Sequence, residues 1–387
     1  MPIVLQLARP DGSLGDYRIT GRTLSLPPTI QFTKRTAYAA AHVVLDPLRT
    51  TDPIFNPVID WDATLQFREH LWDLGFGVAE AMDTSQRGMG LDWTLARELI
   101  ERSAKAAASR KANIASGAGT DHLGVHTDLS MEDVIQAYDE QCAAVEATGS
   151  RIILMASRAL AKVARSDDDY FRVYSHILEQ VKEPVILHWL GPMFDPALEG
   201  YWGSNDLEAA MKNCSSLITQ YARKIDGIKI SLLDAGLEIV MRRSLPAGVR
   251  MYTGDDFNFD NLILGDENGY SDALLGIFDA IAPAAALALT ALDRNDVKGY
   301  RDLLSPTVPL SRHIFQKPTF YYKTGIVFLA YLNGFQSHFH MMAGHESARS
   351  IAHLCEIFRL ADVAGLLRDQ ELAASRMRSI LKVAGVA

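Results

Sequence analysis

The sequence has few cysteines and no excess of basic residues. Its three cysteines, Cys142, Cys214 and Cys355, lie far apart and have the spacing of neither a metal site nor a redox pair. The 38 lysines and arginines are outnumbered by 47 aspartates and glutamates, which gives a net charge of −9. Nucleic acids and anionic membranes select concentrated positive charge, so we expect neither as a partner. From the spacing of the cysteines we expect them to be reduced.

Long apolar runs are also absent. The longest apolar stretch, residues 281–292, is interrupted by Pro283 and is too short to span a bilayer. The N-terminus has no basic start, and its apolar segment is too short for a signal peptide. We therefore predict a cytoplasmic protein.

Eight short apolar runs alternate with segments of helical periodicity in the middle of the chain. The apolar runs are residues 42–45, 77–82, 112–116, 151–155, 184–188, 227–230, 250–253 and 273–277. Helical segments between them include residues 62–74, 92–108, 131–148, 167–181 and 205–224. This alternation predicts parallel βαβ units, and eight units favour a closed (β/α)₈ TIM barrel over an open sheet. No glycine-rich turn follows the first run, so the dinucleotide-binding motif is missing.

The two ends of the chain have different patterns. Residues 3–8 and 17–20 are β-prone and flank the turn-forming residues 10–13, which predicts a β-hairpin. After Pro283 the periodicity is almost wholly helical. The predicted parts are a hairpin extension at residues 1–40, the barrel at 41–283, and C-terminal helices packed on the barrel at 284–387.

Polar side chains follow several of the apolar runs, at the strand ends where a (β/α)₈ barrel carries its chemistry. They are Asp46, Asp83, Thr84, Ser85, His188, Lys229, Asp255 and Asp256. Lys229 is the most informative, because it lies within an apolar, β-prone run. Burial lowers the pKa of a lysine, and the neutral amine can form a Schiff base with a carbonyl compound. The alternative is a lysine that extends to water or pairs with a carboxylate.

Two sequence motifs, one that contains Lys229 and one at the end of the next apolar run, occur in this part of the chain. Asp-Gly-Ile-Lys occupies residues 226–229, and Tyr-Thr-Gly-Asp-Asp occupies residues 252–256. They resemble the Gly-Ile-Lys segment and the Ser-Gly-Asp-Asp turn of the dihydrodipicolinate synthase and N-acetylneuraminate lyase superfamily of class I aldolases. Segments 117–120 and 278–283 also resemble that superfamily.

The resemblance spans about residues 42–335 and implies a chemistry for the site. It implies that Lys229 forms an imine with a small-molecule carbonyl substrate without a cofactor, and that Gly254 and Asp255 help to bind this substrate. It also implies a homodimer or homotetramer.

Three positions depart from the superfamily pattern and predict a divergent branch. Thr84 and Ser85 stand where the superfamily binds the carboxylate of a pyruvate-like substrate, but Asp83 stands where glycine is usual. Asp83 would repel an α-keto acid unless Arg87 or a water network offsets its charge. His188 replaces the tyrosine that relays protons, and an imidazole could take over that role.

Other differences concern the substrate. Residues 156–158 and 193–195 lack the tyrosine and the arginine expected in dihydrodipicolinate synthase, which argues against that enzyme itself. The aromatic residues Trp189, Phe194, Tyr201 and Trp202 could form a rim that stacks on a sugar-derived chain, or could pack under a loop. We therefore predict a lyase, aldolase or dehydratase that acts on a keto acid or a sugar-derived keto compound.

Two alternative functions remain open. Glu80, Asp83, Asp121 and His188 could bind a divalent metal ion, as in a metal-dependent sugar isomerase or aldolase. A barrel without activity could instead bind a sugar. Two histidine clusters lack standard metal spacing, and we favour a site without a metal. The clusters are His338, His340 and His345 with Glu346, and His122 and His126 with Asp121.

Overall fold

An N-terminal hairpin opens the computed structural model of the protein, which describes residues 2–124 and 128–386. Strands β1 (Val4–Ala8) and β2 (Leu14–Arg18) are antiparallel, with Val4 paired to Arg18, as the sequence predicts. The Tyr17 hydroxyl donates a hydrogen bond of 2.7 Å to Asp362 near the C-terminus. The hairpin is therefore anchored to the C-terminal helices.

Eight parallel strands form a closed barrel, which confirms the predicted (β/α)₈ fold. The strands are β3 (Ala37–Ala40), β4 (Gly77–Glu80), β5 (Ile114–Ala118), β6 (Arg151–Leu154), β7 (Val185–Leu190), β8 (Ile225–Ser231), β9 (Arg250–Thr253) and β10 (Asp272–Leu275). They are neighbours in chain order, and β10 closes the barrel by pairing with β3.

Fourteen α-helices accompany the strands in the described residues. They are α1 (Trp61–Asp73), α2 (Trp93–Arg110), α3 (Met131–Ala147), α4 (Arg158–Val163), α5 (Asp167–Gln180), α6 (Leu207–Gln220), α7 (Ala235–Ser244), α8 (Phe259–Leu264), α9 (Ile277–Asp293), α10 (Val297–Leu304), α11 (Val308–Ile314), α12 (Tyr322–Leu332), α13 (Ile351–Val363) and α14 (Gln370–Val383). Many begin at a polar cap, as where Asp92 accepts a hydrogen bond of 2.9 Å from the backbone N–H of Leu95.

The first barrel strand lies at Ala37–Ala40, and the prediction of a strand at residues 42–45 is wrong. The run at residues 42–45 is buried, but Leu45 pairs with Ile59 at the base of a loop that leads to α1. Propensity favoured Val43 and Val44, since alanine is depleted in strands. The strand nevertheless forms at Ala37–Ala40, where it pairs with β10 and β4.

The C-terminal region is helical, as predicted, but the periodic segment 346–386 is divided into α13 and α14. Helix α12 is buried along its whole length.

The division of the chain at residues 40 and 283 stays a prediction, and α9 runs through residue 283. In the described part of the chain, no helix combines the length and apolarity needed to cross a membrane.

A buried ion pair fixes the end of β4, just before the predicted site residues. Arg68 of α1 donates two hydrogen bonds of 2.9 Å to the carboxylate of Glu80, and both side chains are fully buried. Glu80 also accepts a hydrogen bond of 2.9 Å from the backbone N–H of Ala81, and Arg68 donates to the carbonyl of His42. The pair thus joins α1, β4 and the segment after β3.

We predict that Glu80→Ala lowers the free energy of unfolding by about 3–5 kcal/mol, because it leaves the Arg68 guanidinium buried without its counter-charge. Chemical denaturation would measure the change. The control is Glu98→Ala, which removes an exposed helical pair with Arg102 and should change stability by less than about 1 kcal/mol. Equal effects for the two variants would contradict the prediction.

Candidate active site

Lys229 points into the barrel near its carboxyl-terminal end. It is paired with His188 of β7 and with Tyr252 of β9, and Tyr252 belongs to the apolar cluster inside the barrel. Within residues 2–124 and 128–386, the Lys229 amine makes no hydrogen bond. Burial lowers its pKa, while the carboxylates of Asp83 and Asp256 act in the opposite direction. A buried lysine of this kind is a candidate nucleophile.

Glycine at position 254 leaves the space that the Lys229 side chain fills. A Cβ atom on Gly254 would lie 2.8 Å from Cε of Lys229 and 2.3 Å from Oγ of Ser231. Such distances are shorter than any normal contact, so a side chain at position 254 would displace the lysine. The close neighbours of position 254 are thus Lys229, Ser231 and the Ile230 carbonyl, and the predicted role of Gly254 in substrate binding stays a prediction.

His188 lies beside Lys229 and is almost completely buried. Its Nε2 atom is 3.4 Å from Oγ of Ser231. Burial, and secondarily the positive charge of Lys229, lower the pKa of His188 well below its usual value. The ring is therefore neutral near pH 7, which suits a hydrogen-bonding group better than a charged acid. Its predicted proton relay stays a prediction.

Asp256 is a buried carboxyl that interacts electrostatically with the Lys229 amine and has a raised pKa. Its Oδ1 atom accepts a hydrogen bond of 2.9 Å from the backbone N–H of Ile277. Burial raises the pKa of Asp256 to about 7, although the Ile277 N–H and Lys229 oppose the shift. A carboxyl that titrates near neutral pH can exchange protons efficiently. From the sequence this residue was a strand-end candidate without a role.

Asp255 has a structural role in the same turn. Its side chain accepts hydrogen bonds from the backbone N–H groups of Phe257 and Asn258, at 2.8 and 3.0 Å, and from the Asn258 amide at 2.9 Å. Burial raises the pKa of Asp255 as well. These bonds make Asp255 the cap of the turn that positions Asp256, and its predicted contact with substrate stays a prediction.

Asp83, Thr84 and Ser85 form a short 3₁₀ turn after β4. The turn follows Ala81, whose φ of 52° is a strained value for a residue with a side chain. The Ser85 hydroxyl donates a hydrogen bond of 2.7 Å to the carbonyl of Met82, and Oγ1 of Thr84 lies 2.8 Å from the Tyr322 hydroxyl. Both hydroxyls therefore have protein partners, whereas Asp83 acts electrostatically on Lys229.

The first two residues of α12 reach the barrel mouth and were missed in the sequence. Tyr322 stacks on Phe315 with ring centroids 4.2 Å apart. The Lys323 amine donates a hydrogen bond of 2.9 Å to the carbonyl of Phe320, and burial lowers the pKa of Lys323 to about 8, against the effect of Asp83. A lysine at the start of a mostly apolar helix was the available signal.

Two carboxylates of the alternative metal site are bound to arginines. Glu80 pairs with Arg68, and Asp121 accepts hydrogen bonds of 3.0 and 2.8 Å from Arg87. Arg87 is thus paired with Asp121, and an offset of the Asp83 charge by Arg87 or by a water network stays a prediction. Across residues 2–124 and 128–386, no three His, Cys, Asp or Glu side chains are grouped to bind a metal ion.

The predicted histidine clusters make protein contacts. His340 Nδ1 lies 3.2 Å from Oε1 of Glu346, and His345 Nδ1 lies 3.1 Å from the Gln86 amide. His122 Nδ1 lies 2.7 Å from the Gln141 amide. His126 lies outside the described residues.

Asp46 is not part of the site, and its prediction as a strand-end residue is corrected. Since the first strand ends at Ala40, Asp46 lies in the loop before α1. Its side chain accepts hydrogen bonds of 3.0 Å from the backbone N–H groups of Leu48 and Arg49. This is a turn-forming role.

A cavity of about 450 Å³ opens at the carboxyl-terminal face of the barrel and reaches Asp83 and His188. Its walls come from the loops after β4, β5, β6 and β7. The apolar lining includes Leu123, Leu129, Met155, Leu190 and Leu198, and the charged lining includes Arg87, Asp121, Arg158 and Asp195. The size is typical of a site for a small molecule.

The predicted aromatic rim is corrected by the structure. Trp189, Tyr201 and Trp202 are buried, and the rings of Trp189 and Trp202 pack 6.5 Å apart. Phe194 is also buried, against Phe315 and Tyr322. Among the described residues, no phenylalanine, tyrosine or tryptophan ring lines the cavity. The four rings stabilise the loops, so they do not support a sugar as substrate.

The closed barrel, with an inward lysine on its sixth strand, has the same fold as several solved dihydrodipicolinate synthases. Similar solved structures include YagE from E. coli K12, a prophage protein of the dihydrodipicolinic acid synthase family in complex with pyruvate (TM-score 0.63, 13% identity, 92% of this chain and 99% of that chain covered). Dihydrodipicolinate synthases from Thermotoga maritima (TM-score 0.59, 13% identity, 91% and 99% covered) and Aquifex aeolicus (TM-score 0.57, 14% identity, 91% and 98% covered) have the same fold.

These similarities confirm the resemblance predicted from the motifs, and at such low identity they show a shared fold. The chain belongs to the family described as protein of unknown function (DUF993), whose model matches residues 5–386. No curated protein matches the chain by sequence. The chain thus shares the barrel fold of these proteins at 13–14% sequence identity.

We predict that Asp83→Asn and Asp256→Asn each lower the pKa of Lys229, because each ionised carboxylate favours the charged ammonium. The pH dependence of reductive methylation at Lys229, followed by mass spectrometry, would show a midpoint at lower pH in both variants. Asp195→Asn is the control, since Asp195 lines the same cavity but pairs with Arg158. Unchanged midpoints in both test variants would contradict the prediction.

Proposed function

We propose that the protein is a lyase of the class I aldolase type, in which Lys229 forms a Schiff base with a keto compound. The observation that supports this most is a buried amine with a lowered pKa, placed inside the mouth of the barrel beside Asp83, His188 and Asp256. The fold shared with dihydrodipicolinate synthases adds support. The homo-oligomer and the cytoplasmic location stay predictions.

The first half of the reaction forms the iminium ion. The neutral Lys229 amine attacks the carbonyl carbon, and the carbonyl oxygen becomes a hydroxyl as it gains a proton from the solvent. The Asp256 carboxylate accepts the proton that the nitrogen loses and donates it to the departing hydroxyl, which leaves as water. Asp83 stabilises the cationic iminium that results.

The second half breaks a carbon–carbon bond. The iminium accepts the electron pair of the bond between the α and β carbons, while the β-hydroxyl loses its proton to Asp256. One carbonyl product leaves, and the remaining enamine is protonated at the α carbon. Water then hydrolyses the iminium and releases the second product and the free amine. For dehydration, Asp256 would instead take a proton from the α carbon of the intact iminium, and the resulting enamine would lose the β-hydroxyl, which takes up that proton and leaves as water.

The substrate is expected to differ from pyruvate. YagE was solved in complex with pyruvate, an α-keto acid whose carboxylate adjoins the carbonyl. In this chain Asp83 lies near the amine, and the Thr84 and Ser85 hydroxyls have protein partners. A carboxylate next to the carbonyl would meet the negative charge of Asp83. We therefore favour a keto compound without that carboxylate.

We predict that borohydride reduction in the presence of keto compounds traps an adduct on Lys229, because reduction converts the imine to a stable amine. Mass spectrometry of peptides would locate the adduct. Lys229→Ala should give no adduct and no turnover. Lys224→Ala is the control, because Lys224 lies just before β8 and bonds the Val181 carbonyl. An adduct on Lys323 with Lys229 unmodified would contradict the proposal.

We predict that Asp256→Asn lowers turnover by about 10²–10⁴-fold, the usual contribution of a general acid or base. In the unmodified protein, activity should fall below about pH 7, because the carboxylate that begins the reaction becomes protonated there. This acidic limb should be absent from the residual activity of the variant. Retention of the limb near pH 7 in Asp256→Asn would assign it to another group.

A further inference from the structure

The cavity beyond Lys229 has an aliphatic wall. Leu123 and Leu129 come from the loop after β5, Met155 follows β6, Leu190 ends β7, and Leu198 follows it. Leu190 and Leu198 are buried, whereas Leu123 and Leu129 are partly exposed. Leucines from separate loops thus converge on one cavity.

The two arginines of the wall, Arg87 and Arg158, are already paired with carboxylates. Arg87 bonds both oxygens of Asp121, and it also donates a hydrogen bond of 2.7 Å to the carbonyl of Gly117. Arg158 forms an ion pair with Asp195. Each guanidinium therefore has its counter-charge within the protein.

The hydroxyls of the wall are paired as well. Oγ1 of Thr120 lies 2.6 Å from Oγ of Ser157. Ser157 also accepts a hydrogen bond of 2.9 Å from the backbone N–H of Leu160. A ligand with many hydroxyl groups would have to break these bonds or leave its own groups without partners, and both are unfavourable.

We propose that this cavity binds the apolar tail of the substrate, an aliphatic or aromatic chain attached to the keto group. The inference rests on the proposed function, because it names the substrate class of the same site. It replaces the sugar-derived chain expected from the aromatic residues. Each methylene buried in such a wall strengthens binding by roughly three- to fourfold.

The test compares probes with one head group and different tails. The probes are α-oxohexanoate, its trihydroxylated analogue, and the methyl ketones with the same two tails. Binding is measured by calorimetry with the full-length Lys229→Met variant, which forms no imine. We expect each alkyl probe to bind at least roughly tenfold more tightly than its hydroxylated partner, since three buried hydroxyls replace apolar surface.

Leu129→Ser tests the wall directly and should weaken binding of the alkyl probes by roughly three- to tenfold, with little effect on the hydroxylated probes. Leu26→Ser is the control, because Leu26 is exposed in the N-terminal part and should leave both affinities unchanged. Met155→Leu keeps the wall apolar and should keep the preference. If the wall has no role in binding, all three variants would bind each probe with the same affinity.

Borohydride trapping with the unmodified protein separates this inference from the proposed function. Adducts on Lys229 with equal or stronger binding of the hydroxylated probes would overturn the apolar tail and leave the lyase in place. Tight binding of the alkyl probes without any adduct would support the apolar cavity and contradict the Schiff base. Absence of binding by every probe would overturn the inference.

Discussion

The burial of a positive charge inside a closed barrel is the constraint on which this site depends. An isolated ammonium in such surroundings loses much of its hydration energy, so Lys229 must lose its proton or meet negative charge. Asp83 after β4 and Asp256 after β9 supply that charge from two sides of the barrel. Gly254 removes the side chain that would occupy the space of the lysine stem. The site therefore requires the barrel to be closed with its present register.

The C-terminal helices complete this arrangement. Helix α12 places Tyr322 against Thr84, and it places the second buried amine, Lys323, near Asp83. The loop after β4 is fixed on its other side, where the Gln86 amide donates a hydrogen bond of 2.8 Å to the carbonyl of Met342. The region after the barrel thus takes part in the site, and changes in α12 would alter the surroundings of Asp83.

The sequence predicted the barrel and the burial of Lys229 at a strand end, because both depend on local patterns. Alternating apolar runs and helices require parallel strands, and a lysine in such a run is rare enough to notice. The β3 strand was missed because three of its four residues are alanines, which local propensity does not favour in strands. Tyr322 was missed because its contact with Thr84 joins distant segments. The error at Trp189 was avoidable: neighbouring strand residues face opposite sides, so Trp189 cannot share the cavity with His188.

Asp83 is the residue that most separates this site from one for α-keto acids. It makes the Lys229 amine harder to deprotonate, which would oppose attack on a carbonyl, but in the proposed mechanism the same charge would stabilise the iminium. In a site for α-keto acids the carboxylate next to the reacting carbon comes with the substrate. Here the protein would supply the negative charge from Asp83, and a substrate carboxylate would add repulsion. A fixed carboxylate at the amine and an aliphatic wall beyond it thus favour the same ligand, an uncharged keto compound with an apolar tail.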